Sequence, residues 1–477
     1  MDIEEFRAQA HRFSDWMASY LAGIERYPVR SQVAAGQILK LLPESCPNGG
    51  ESMDAIFADF ERSIMPGITH WQHPRFFAYF SANSSPPSVL AEMLTATLGA
   101  QCMLWETSPA ATELELRMMQ WLRDLVGLPG EFSGCIQDSA SSATLCAILA
   151  ACNRASAGRF AQEGLAGGPP LVLYTSVDAH SSVEKGARIA GLGAANVRKI
   201  ACVAEGGMDA LALESAIAVD RAAGRVPAAI VASFGTTGVG AIDPLADLAA
   251  IARRQQVYLH VDGAWAGSAL ILPEVRALAA GLEQADSFVF NPHKWLLTNF
   301  DCSAFFLRNP AELTAVLALT PSYLESAGAA HMPEYRDWSV PLGRRFRALK
   351  LWFVLRSYGA DGLRELLREH LAWTRRLAQR IEQTPGFVLT TPPRLALLSF
   401  RYQPDAALSQ AANDALNEAL LQGINDSGAL YLTKTRHQGR TVIRFMIGQT
   451  YTRWHHVEQA WDAIVQTARG LKTQSIP

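Results

Sequence analysis

Cysteine is scarce in this sequence, and its spacing is not typical of a disulfide or zinc framework. Seven cysteines are spread over 477 residues, their number is odd, and no two of them form a Cys-x-x-Cys pair. We therefore expect no disulfide-stapled fold and no metal site, and we predict a reducing compartment such as the cytoplasm.

The sequence also lacks an excess of one charge, a long apolar run and a targeting segment. Its 42 Lys and Arg residues against 45 Asp and Glu residues give a formal net charge of −3, which provides no general attraction for nucleic acid. No stretch of about 18 uninterrupted apolar residues occurs, so no membrane span is expected. The first residues, MDIEEFRAQAHRF, are amphipathic rather than basic and then apolar. The sequence predicts a cytoplasmic protein without nucleic-acid or membrane partners.

Apolar residues are abundant, and their pattern predicts the fold class. A hydrophobic content of 49% over this length is enough for a large core and excludes disorder as the main state. Short apolar runs alternate with helical patterns, and these runs cover 171–174, 197–203, 229–233, 257–261 and 288–290. Such alternation predicts an α/β fold with a mainly parallel sheet covered on both faces.

Changes in pattern divide the chain into three expected parts. Residues 1–84 read as helices broken by prolines, and 85–350 carry the strand–helix alternation. Residues 351–477 begin with longer helical patterns and continue with shorter strand candidates, which predicts a small α+β domain.

Reactive side chains follow four of the predicted strands, at the edge where open α/β sheets bind ligands. Asp262 follows 257–261, Lys294 follows 288–290, His180 follows 171–174, and Thr236 and Thr237 follow 229–233. Desolvation of Lys294 would lower its pKa and make a neutral amine available for Schiff-base formation. An aspartate such as Asp262 is what the ring nitrogen of pyridoxal phosphate requires. A structural ion pair between Asp262 and Lys294, and a structural role for His180, are the alternatives.

Two further segments can be interpreted either as ligand or partner sites or as ordinary structural features. The run Asp138-Ser139-Ala140-Ser141-Ser142 begins a predicted helix, whose free N–H groups suit a phosphate; an ordinary serine N-cap is the alternative. The segment 70–80 is dense in aromatic residues, which indicates packing against a partner chain or a ligand, with simple core packing as the alternative.

One long motif of the sequence resembles that of a known enzyme family. The stretch 291–303, Asn-Pro-His-Lys-Trp-Leu-Leu-Thr-Asn-Phe-Asp-Cys-Ser, resembles the pyridoxal-phosphate lysine signature of the group II pyridoxal-dependent decarboxylases. Within them it is most similar to the aromatic-L-amino-acid decarboxylase branch. The resemblance extends over nearly the whole chain and includes 73–80, 108–115, 179–184, 260–262 and 341–347.

The resemblance implies a type I pyridoxal-phosphate fold and a homodimer with active sites at the interface. Residues 1–84 would wrap the partner, 85–350 would bind the cofactor, and 351–477 would form the small domain. Lys294 would bind the cofactor aldehyde, Asp262 would pair with the ring nitrogen, and Ala264 and His180 would lie on the two ring faces. The remaining cofactor contacts implied by the motif match are Ala140, Ser141, Asn291 and His293 around the phosphate, and Thr237 near the ring.

The resemblance also implies a reaction. Residues 320–326 match the mobile catalytic loop of the family, in which Tyr323 would protonate the substrate carbon. A phenylalanine at this position goes with oxidative deamination to aldehydes, so Tyr323 favours simple decarboxylation to an amine and CO2. An aromatic aldehyde synthase, another group II amino-acid decarboxylase, and a pyridoxal-phosphate protein without turnover are the rival interpretations.

The substrate side chain is expected among aromatic walls, which suit an aromatic ring. The residues implied are Trp71, Tyr79, Phe80, Gln101, Met103 and Gly343. Gln101 and Met103 differ from the apolar and aromatic residues of the animal enzymes, so a catechol preference does not follow. Gly343 leaves room for large rings such as tryptophan or 5-hydroxytryptophan, with dopa, phenylalanine and tyrosine as further substrates.

Overall fold

The computed structural model describes residues 1–319 and 332–474, with side chains through 471. The chain divides into two compact units. We call Ala82–Ala372 the sheet unit, and Met1–Ser81 together with Trp373–Pro477 the terminal unit. The division at 84/85 and 350/351 expected from the sequence stays a prediction.

Helices and strands follow one another in the order that the sequence indicates. The helices are α1 Ile3–Ala22, α2 Met53–Asp59, α3 Pro86–Leu98, α4 Pro109–Val126, α5 Ala140–Ala155, α6 Arg159–Glu163, α7 Ser182–Ile189, α8 Ala210–Ala222, α9 Leu245–Gln255, α10 Pro292–Trp295, α11 Ala311–Leu317, α12 Arg347–Glu382, α13 Gln410–Asp426 and α14 Trp454–Gln474. The strands are β1 Ser133–Gln137, β2 Leu171–Ser176, β3 Val197–Ile200, β4 Val226–Ser233, β5 Tyr258–Asp262, β6 Ser287–Phe290, β7 Ser303–Leu307, β8 Phe387–Arg394, β9 Leu397–Tyr402, β10 Thr433–His437 and β11 Arg440–Met446.

The sheet unit contains a seven-stranded sheet in the order β1-β7-β6-β5-β4-β2-β3. Strands β3, β2, β4, β5 and β6 pair in parallel, and β7 and β1 add an antiparallel edge. All residues of β2 and β6 are buried, as expected for parallel strands covered on both faces. The predicted α/β class with a mainly parallel sheet is confirmed.

The strand register brings the predicted reactive residues to one edge. Asp262 is the last residue of β5 and pairs with Ser233 at the end of β4 and with Val289 near the end of β6. Because these strands are parallel, their carboxyl ends meet at the same edge. The residues that follow β2, β4, β5 and β6 are therefore neighbours in space.

Helix α5 packs closely on the sheet because its inner face carries small side chains. Ala143, Cys146, Ala147 and Ala150 are fully buried in the core of this unit. The helix begins at Ser139, whose hydroxyl accepts the N–H of Ser142 at 3.2 Å, an ordinary N-cap. Its first turn thus lies at the same sheet edge.

The terminal unit contains an antiparallel sheet in the order β10-β11-β9-β8, with α13 and α14 contributing to its core. Phe400, Leu420, Phe445 and Trp461 are buried there, and the rings of Phe400 and Trp461 lie 5.4 Å apart in an edge arrangement. This unit has the α+β character predicted for the C-terminal residues.

Helix α12 is interrupted at Gly359, whose φ is +66° and ψ is 168°. An L side chain rarely adopts this conformation, so glycine permits the break. In residues 1–319 and 332–474, no helix combines the length and the hydropathy that crossing a bilayer requires.

Candidate active site

Three ionisable side chains form the centre of the site. Lys294 lies in α10, directly after β6, Asp262 ends β5, and His180 follows β2. The backbone of Lys294 is held on both sides: its N–H donates to the carbonyl of Asn291 at 2.9 Å, and its carbonyl accepts from the side-chain amide of Asn83. The turn that carries the lysine is therefore fixed.

The three side chains act on one another electrostatically. Burial lowers the pKa of Lys294, and the nearby Asp262 carboxylate opposes this shift. Desolvation also lowers the pKa of His180, the Asp262 carboxylate opposes that shift, and the Lys294 cation adds to it. A lowered lysine pKa increases the fraction of neutral amine, which is the nucleophilic form.

The orientations of Asp262 and His180 are set by local hydrogen bonds. One Asp262 oxygen accepts the N–H of Ala264 at 3.0 Å, so the carboxylate is anchored to the turn after β5. The Nδ1 of His180 accepts the N–H of Ser182 at 3.2 Å. A neutral ring with Nδ1 as acceptor carries its hydrogen on Nε2, so the exposed His180 ring can donate from Nε2.

A second part of the site is suited to an anion. The free N–H groups at the start of α5, at Ala140 and Ser141, lie at the positive end of a 16-residue helix. The Nδ1 of His293 accepts the N–H of Cys302 at 2.9 Å, which leaves Nε2–H as a donor. Desolvation, assisted by Lys294 and Lys350, lowers the pKa of His293 to about 3, so its ring is neutral at physiological pH.

Asn291 has a buried polar atom that a ligand could satisfy. Its side chain is 3% exposed, and its Oδ1 has no hydrogen-bond partner within the residues that the structure describes. A buried amide end without a partner is costly, and rotation of the amide exchanges oxygen for a donor nitrogen. A phosphate oxygen would satisfy that donor.

The two threonines after β4 differ in whether their side chains can contact a ligand. The hydroxyl of Thr236 accepts the N–H of Ala241 at 2.9 Å and closes its own turn. The side chain of Thr237 is exposed at the sheet edge, which is consistent with the prediction that Thr237 is the residue near the cofactor ring.

The residues predicted to contact the substrate lie in both units. Trp71, Tyr79 and Phe80 belong to the terminal unit, and the rings of Trp71 and Tyr79 stack with centroids 5.7 Å apart. Gln101, Met103 and Gly343 belong to the sheet unit. Their role in substrate binding stays a prediction, as do the individual cofactor contacts, and Tyr323 lies outside the described residues.

The Gln101 side chain lies beside Gly343 and is bonded to the next residue, Arg344. The Oε1 of Gln101 accepts the N–H of Arg344 at 2.7 Å, and a Cβ placed on Gly343 would lie 3.2 Å from the Nε2 of Gln101. Arg344 is fixed by a buried ion pair with Glu115 at 2.7 Å. Gly343 is therefore held beside the Gln101 amide by a rigid framework.

Some neighbours of these residues gave no signal in the sequence. The hydroxyl of Tyr431 lies 3.2 Å from that of Tyr79, and the buried Arg444 lies over the ring of Phe80 at 5.2 Å. Both come from the C-terminal part of the chain. Only the strand pattern at 441–447 could have drawn attention to Arg444, and nothing would have paired it with residue 80.

An amine of lowered pKa, a neighbouring carboxylate, a donor imidazole and an anion site at a helix N-terminus lie together at the carboxyl edge of a mainly parallel sheet. These groups fit pyridoxal phosphate, and they define the class of protein as a pyridoxal-phosphate-dependent α/β enzyme.

Comparison with known proteins gives the family. The profile of the pyridoxal-dependent decarboxylase conserved domain matches residues 35–403. The chain belongs to this family of decarboxylases, its cofactor is pyridoxal phosphate, and the resemblance stated from the sequence is confirmed.

The similarity extends over the whole length of individual relatives. The chain is 41% identical to phenylacetaldehyde synthase of Arabidopsis thaliana, over 99% of this chain and 97% of the relative. It is also 41% identical to aromatic-L-amino-acid decarboxylase of Mus musculus, over 99% of both chains. A solved structure of Oryza sativa TDC with pyridoxal phosphate and tryptamine superimposes with a TM-score of 0.96 at 33% identity, covering 99% of each chain.

Proposed function

We propose that this enzyme is an aromatic-L-amino-acid decarboxylase, which converts aromatic L-amino acids to arylalkylamines and CO2. The observation that carries the proposal is the placement of Lys294, Asp262 and His180 at one edge of the parallel sheet, directly after β6, at the end of β5 and after β2. The relatives support an aromatic substrate, because they include aromatic-L-amino-acid and tryptophan decarboxylases at 39–41% identity.

Pyridoxal phosphate, when bound, supplies the electron sink that accepts the electron pair left by departing CO2. Lys294 would hold its aldehyde carbon, and Asp262 its ring nitrogen. The other proposed contacts are Ala264 and His180 at the ring faces, Thr237 near the ring, and Ala140, Ser141, Asn291 and His293 at the phosphate.

Each central residue would have a separate task. Burial makes Lys294 available as a neutral amine, and the Asp262 carboxylate keeps a proton on the ring nitrogen opposite it. The Nε2–H of His180 would hold the substrate carboxylate, and Tyr323 would deliver a proton to the substrate α carbon.

The substrate ring would be bound by aromatic and polar residues. We assign this role to Trp71, Tyr79, Phe80, Gln101, Met103 and Gly343. The absence of a side chain at Gly343 favours large rings such as tryptophan and 5-hydroxytryptophan, with dopa, phenylalanine and tyrosine as further substrates. A methylene-sized difference changes binding by only ~1–3 kcal/mol, so we expect a broad substrate range.

An aromatic aldehyde synthase is the second candidate, because the relatives include phenylacetaldehyde synthase. That reaction consumes O2 and water as well as the amino acid, and it releases aldehyde, CO2, ammonia and hydrogen peroxide. The tyrosine at position 323 favours the amine-forming reaction.

One assay separates these functions. The holoenzyme is incubated in air with equimolar tryptophan, 5-hydroxytryptophan, dopa, tyrosine, phenylalanine and glutamate. Amines and aldehydes are measured by mass spectrometry, and peroxide by a coupled colour reaction. Amines without peroxide would support the proposal, and aldehyde with equimolar peroxide would establish the synthase. Amine from glutamate alone would exclude an aromatic substrate.

We also propose that the enzyme is a homodimer. Helix α3 carries exposed apolar side chains at Leu90, Leu94 and Leu98, which recur at helical spacing, and contiguous exposed apolar surface is typical of interfaces. Light scattering on the purified protein measures its mass directly. A mass of one chain at micromolar concentration would contradict the proposal. Location in the cytoplasm stays a prediction.

A further inference from the structure

A buried cluster of charges lies behind the turn that carries Lys294. Lys350 in α12 is 1% exposed, and its Nζ lies 2.9 Å from the Oε2 of Glu92 in α3. The guanidinium of Arg347 donates to the Oδ2 of Asp301 at 3.0 Å. Arg345, whose side chain is half exposed, contacts both carboxylates. Burying a cation as deeply as Lys350 is costly unless the charge is paired, and here the partner is Glu92.

The cluster is joined to His293 by two hydrogen bonds of the Cys302 backbone, one to the His293 side chain and one to its backbone. Asp301 precedes Cys302, whose N–H donates to the Nδ1 of His293 at 2.9 Å. The N–H of His293 donates back to the carbonyl of Cys302 at 3.2 Å. Asn299, in the same segment, donates its amide to Glu92 at 3.3 Å. The segment 299–302 therefore connects the charge cluster to the imidazole.

Lys350 also acts on His293 through space. The cations of Lys350 and Lys294 both lower the pKa of His293, and the carboxylate of Asp138 opposes them. Asp138 directly precedes the N-cap of α5. His293 thus lies within electrostatic range of the start of α5 on one hand and of Lys350 on the other.

We propose that Lys350 is a positioning residue for the phosphate end of the cofactor site: it fixes the segment 299–302 through Glu92 and places a positive charge behind His293. This proposal rests on the assignment of His293 to the cofactor phosphate. A buried positive charge next to a phosphate site strengthens anion binding, because it is little screened by water.

The charge state of Lys350 is sensitive to pH near the working range. Burial lowers its pKa to about 8, with Arg345 and Arg347 contributing, while Cys302 and Asp301 act in the opposite direction. The groups that face it are Glu92 from α3, His293 from α10, Asp301 and Cys302 from the segment before β7, Arg347 at the start of α12, and Arg345 two residues before that helix. Above about pH 8 the lysine loses its proton, and its support for the phosphate should decline.

The test measures cofactor affinity without substrate. Apoprotein of the full chain is titrated with pyridoxal phosphate at about pH 7 and about pH 9, and tryptophan fluorescence reports binding. The variants are Lys350→Gln, which removes the charge, and Lys350→Arg, which keeps it at both pH values. Lys434→Gln is the matched control, because that exposed lysine lies in the terminal unit and pairs with Glu418 at 2.7 Å.

We expect Lys350→Gln to weaken cofactor binding roughly tenfold at pH 7, because it removes a little-screened positive charge that acts on the phosphate without touching it, and the control to leave it unchanged. The affinity of the wild type relative to Lys350→Arg should fall between pH 7 and pH 9. An unchanged affinity in Lys350→Gln, with only a lower unfolding temperature of the apoprotein, would overturn the proposal and leave a structural role.

If Lys350→Gln does not fold, the comparison of wild type with Lys350→Arg decides, since equal pH dependence of their affinities would also overturn the proposal. Because no substrate is present, this outcome is independent of the amine and peroxide assay. Failure of the proposed reaction can therefore be told apart from failure of this inference.

Discussion

The Nε2 of Gln101 lies 3.2 Å from the position that a Cβ on Gly343 would occupy, while its Oε1 accepts the N–H of Arg344 at 2.7 Å. The amide is therefore fixed by one residue and placed against its neighbour. The buried pair of Arg344 and Glu115 prevents the segment from moving away. In this chain the space at position 343 is thus set by Gln101 as well as by the glycine.

We expect Gly343→Ala to be unfavourable unless Gln101 is changed as well. The new methyl group would displace the Gln101 amide by a few tenths of an ångström and strain its hydrogen bond with the Arg344 N–H. Overpacking of this kind costs about 1–2 kcal/mol, which is about 5- to 30-fold in kcat/KM for tryptophan. The double variant Gly343→Ala with Gln101→Ala should recover much of this loss. A double-mutant cycle on kcat/KM and on unfolding temperature measures the coupling. Strictly additive effects would show that the two residues are independent.

Lys294→Ala should abolish CO2 release. The variant lacks the only amine placed beside Asp262 and His180 among the described residues, so it cannot bind the cofactor covalently. Absorbance of the bound cofactor and release of labelled CO2 are the two measurements. Lys199→Ala is the control, because Lys199 is exposed on β3. Near-native steady-state turnover of Lys294→Ala would remove this lysine from its assigned role.

Asp262→Asn should lower kcat by about 160- to 5,000-fold, since loss of one partner of a buried charge pair costs about 3–5 kcal/mol. The substitution should also lower the pKa of Lys294 further, because the Asp262 carboxylate raises that pKa in the wild type. The second effect is measured on apoprotein as the pH at which Lys294 becomes reactive toward an acylating reagent, followed by mass spectrometry. Asp262→Glu keeps the charge and should retain the higher lysine pKa. An identical reactivity profile in all three proteins would contradict the electrostatic effect of Asp262 on Lys294.

The strand ends could be read from the sequence, because buried parallel strands produce apolar runs and polar residues stand out directly after them. Asp262, Lys294 and His180 were found in this way. The contacts of Lys350 with Glu92 and of Tyr431 with Tyr79 could not be found, because each joins segments far apart in the chain. The antiparallel edge formed by β1 also gave no signal, since its run Ser-Gly-Cys-Ile-Gln is short and only partly apolar.

Tyr323→Phe should redirect the reaction. In the proposed mechanism the tyrosine protonates the substrate α carbon, and without that proton the carbon becomes open to oxidation by O2. We expect less amine and new aldehyde, ammonia and hydrogen peroxide in equal amounts. Peroxide measured in air and under nitrogen provides the control, since oxidation requires O2. An unchanged yield of amine would exclude Tyr323 as the proton donor.

Acid should destabilise the protein through three histidines that are buried in the neutral form. Burial lowers the pKa of His73 and of His293 to about 3 and that of His260 to about 4. Between these values and the ordinary pKa of 6.5, the unfolded chain binds protons that the folded chain does not. The contribution of these histidines to the free energy of unfolding is therefore fully present above about pH 6.5. It falls as the pH drops below that value, by up to about 1.4 kcal/mol per pH unit for each histidine.

Urea unfolding of the apoprotein at several pH values between about 5 and 7.5 measures this slope. His260 is the best residue to remove, because its ring lies in the core, with Nδ1 2.8 Å from the Ser287 hydroxyl and Nε2 3.3 Å from that of Thr144. His260→Gln should be less stable at pH 7.5, since it loses the ring contacts with Ser287 and Thr144. Its stability should, however, decline less steeply toward pH 5. If the free energy of unfolding of His260→Gln declines as steeply as that of the wild type, His260 does not contribute to the acid sensitivity.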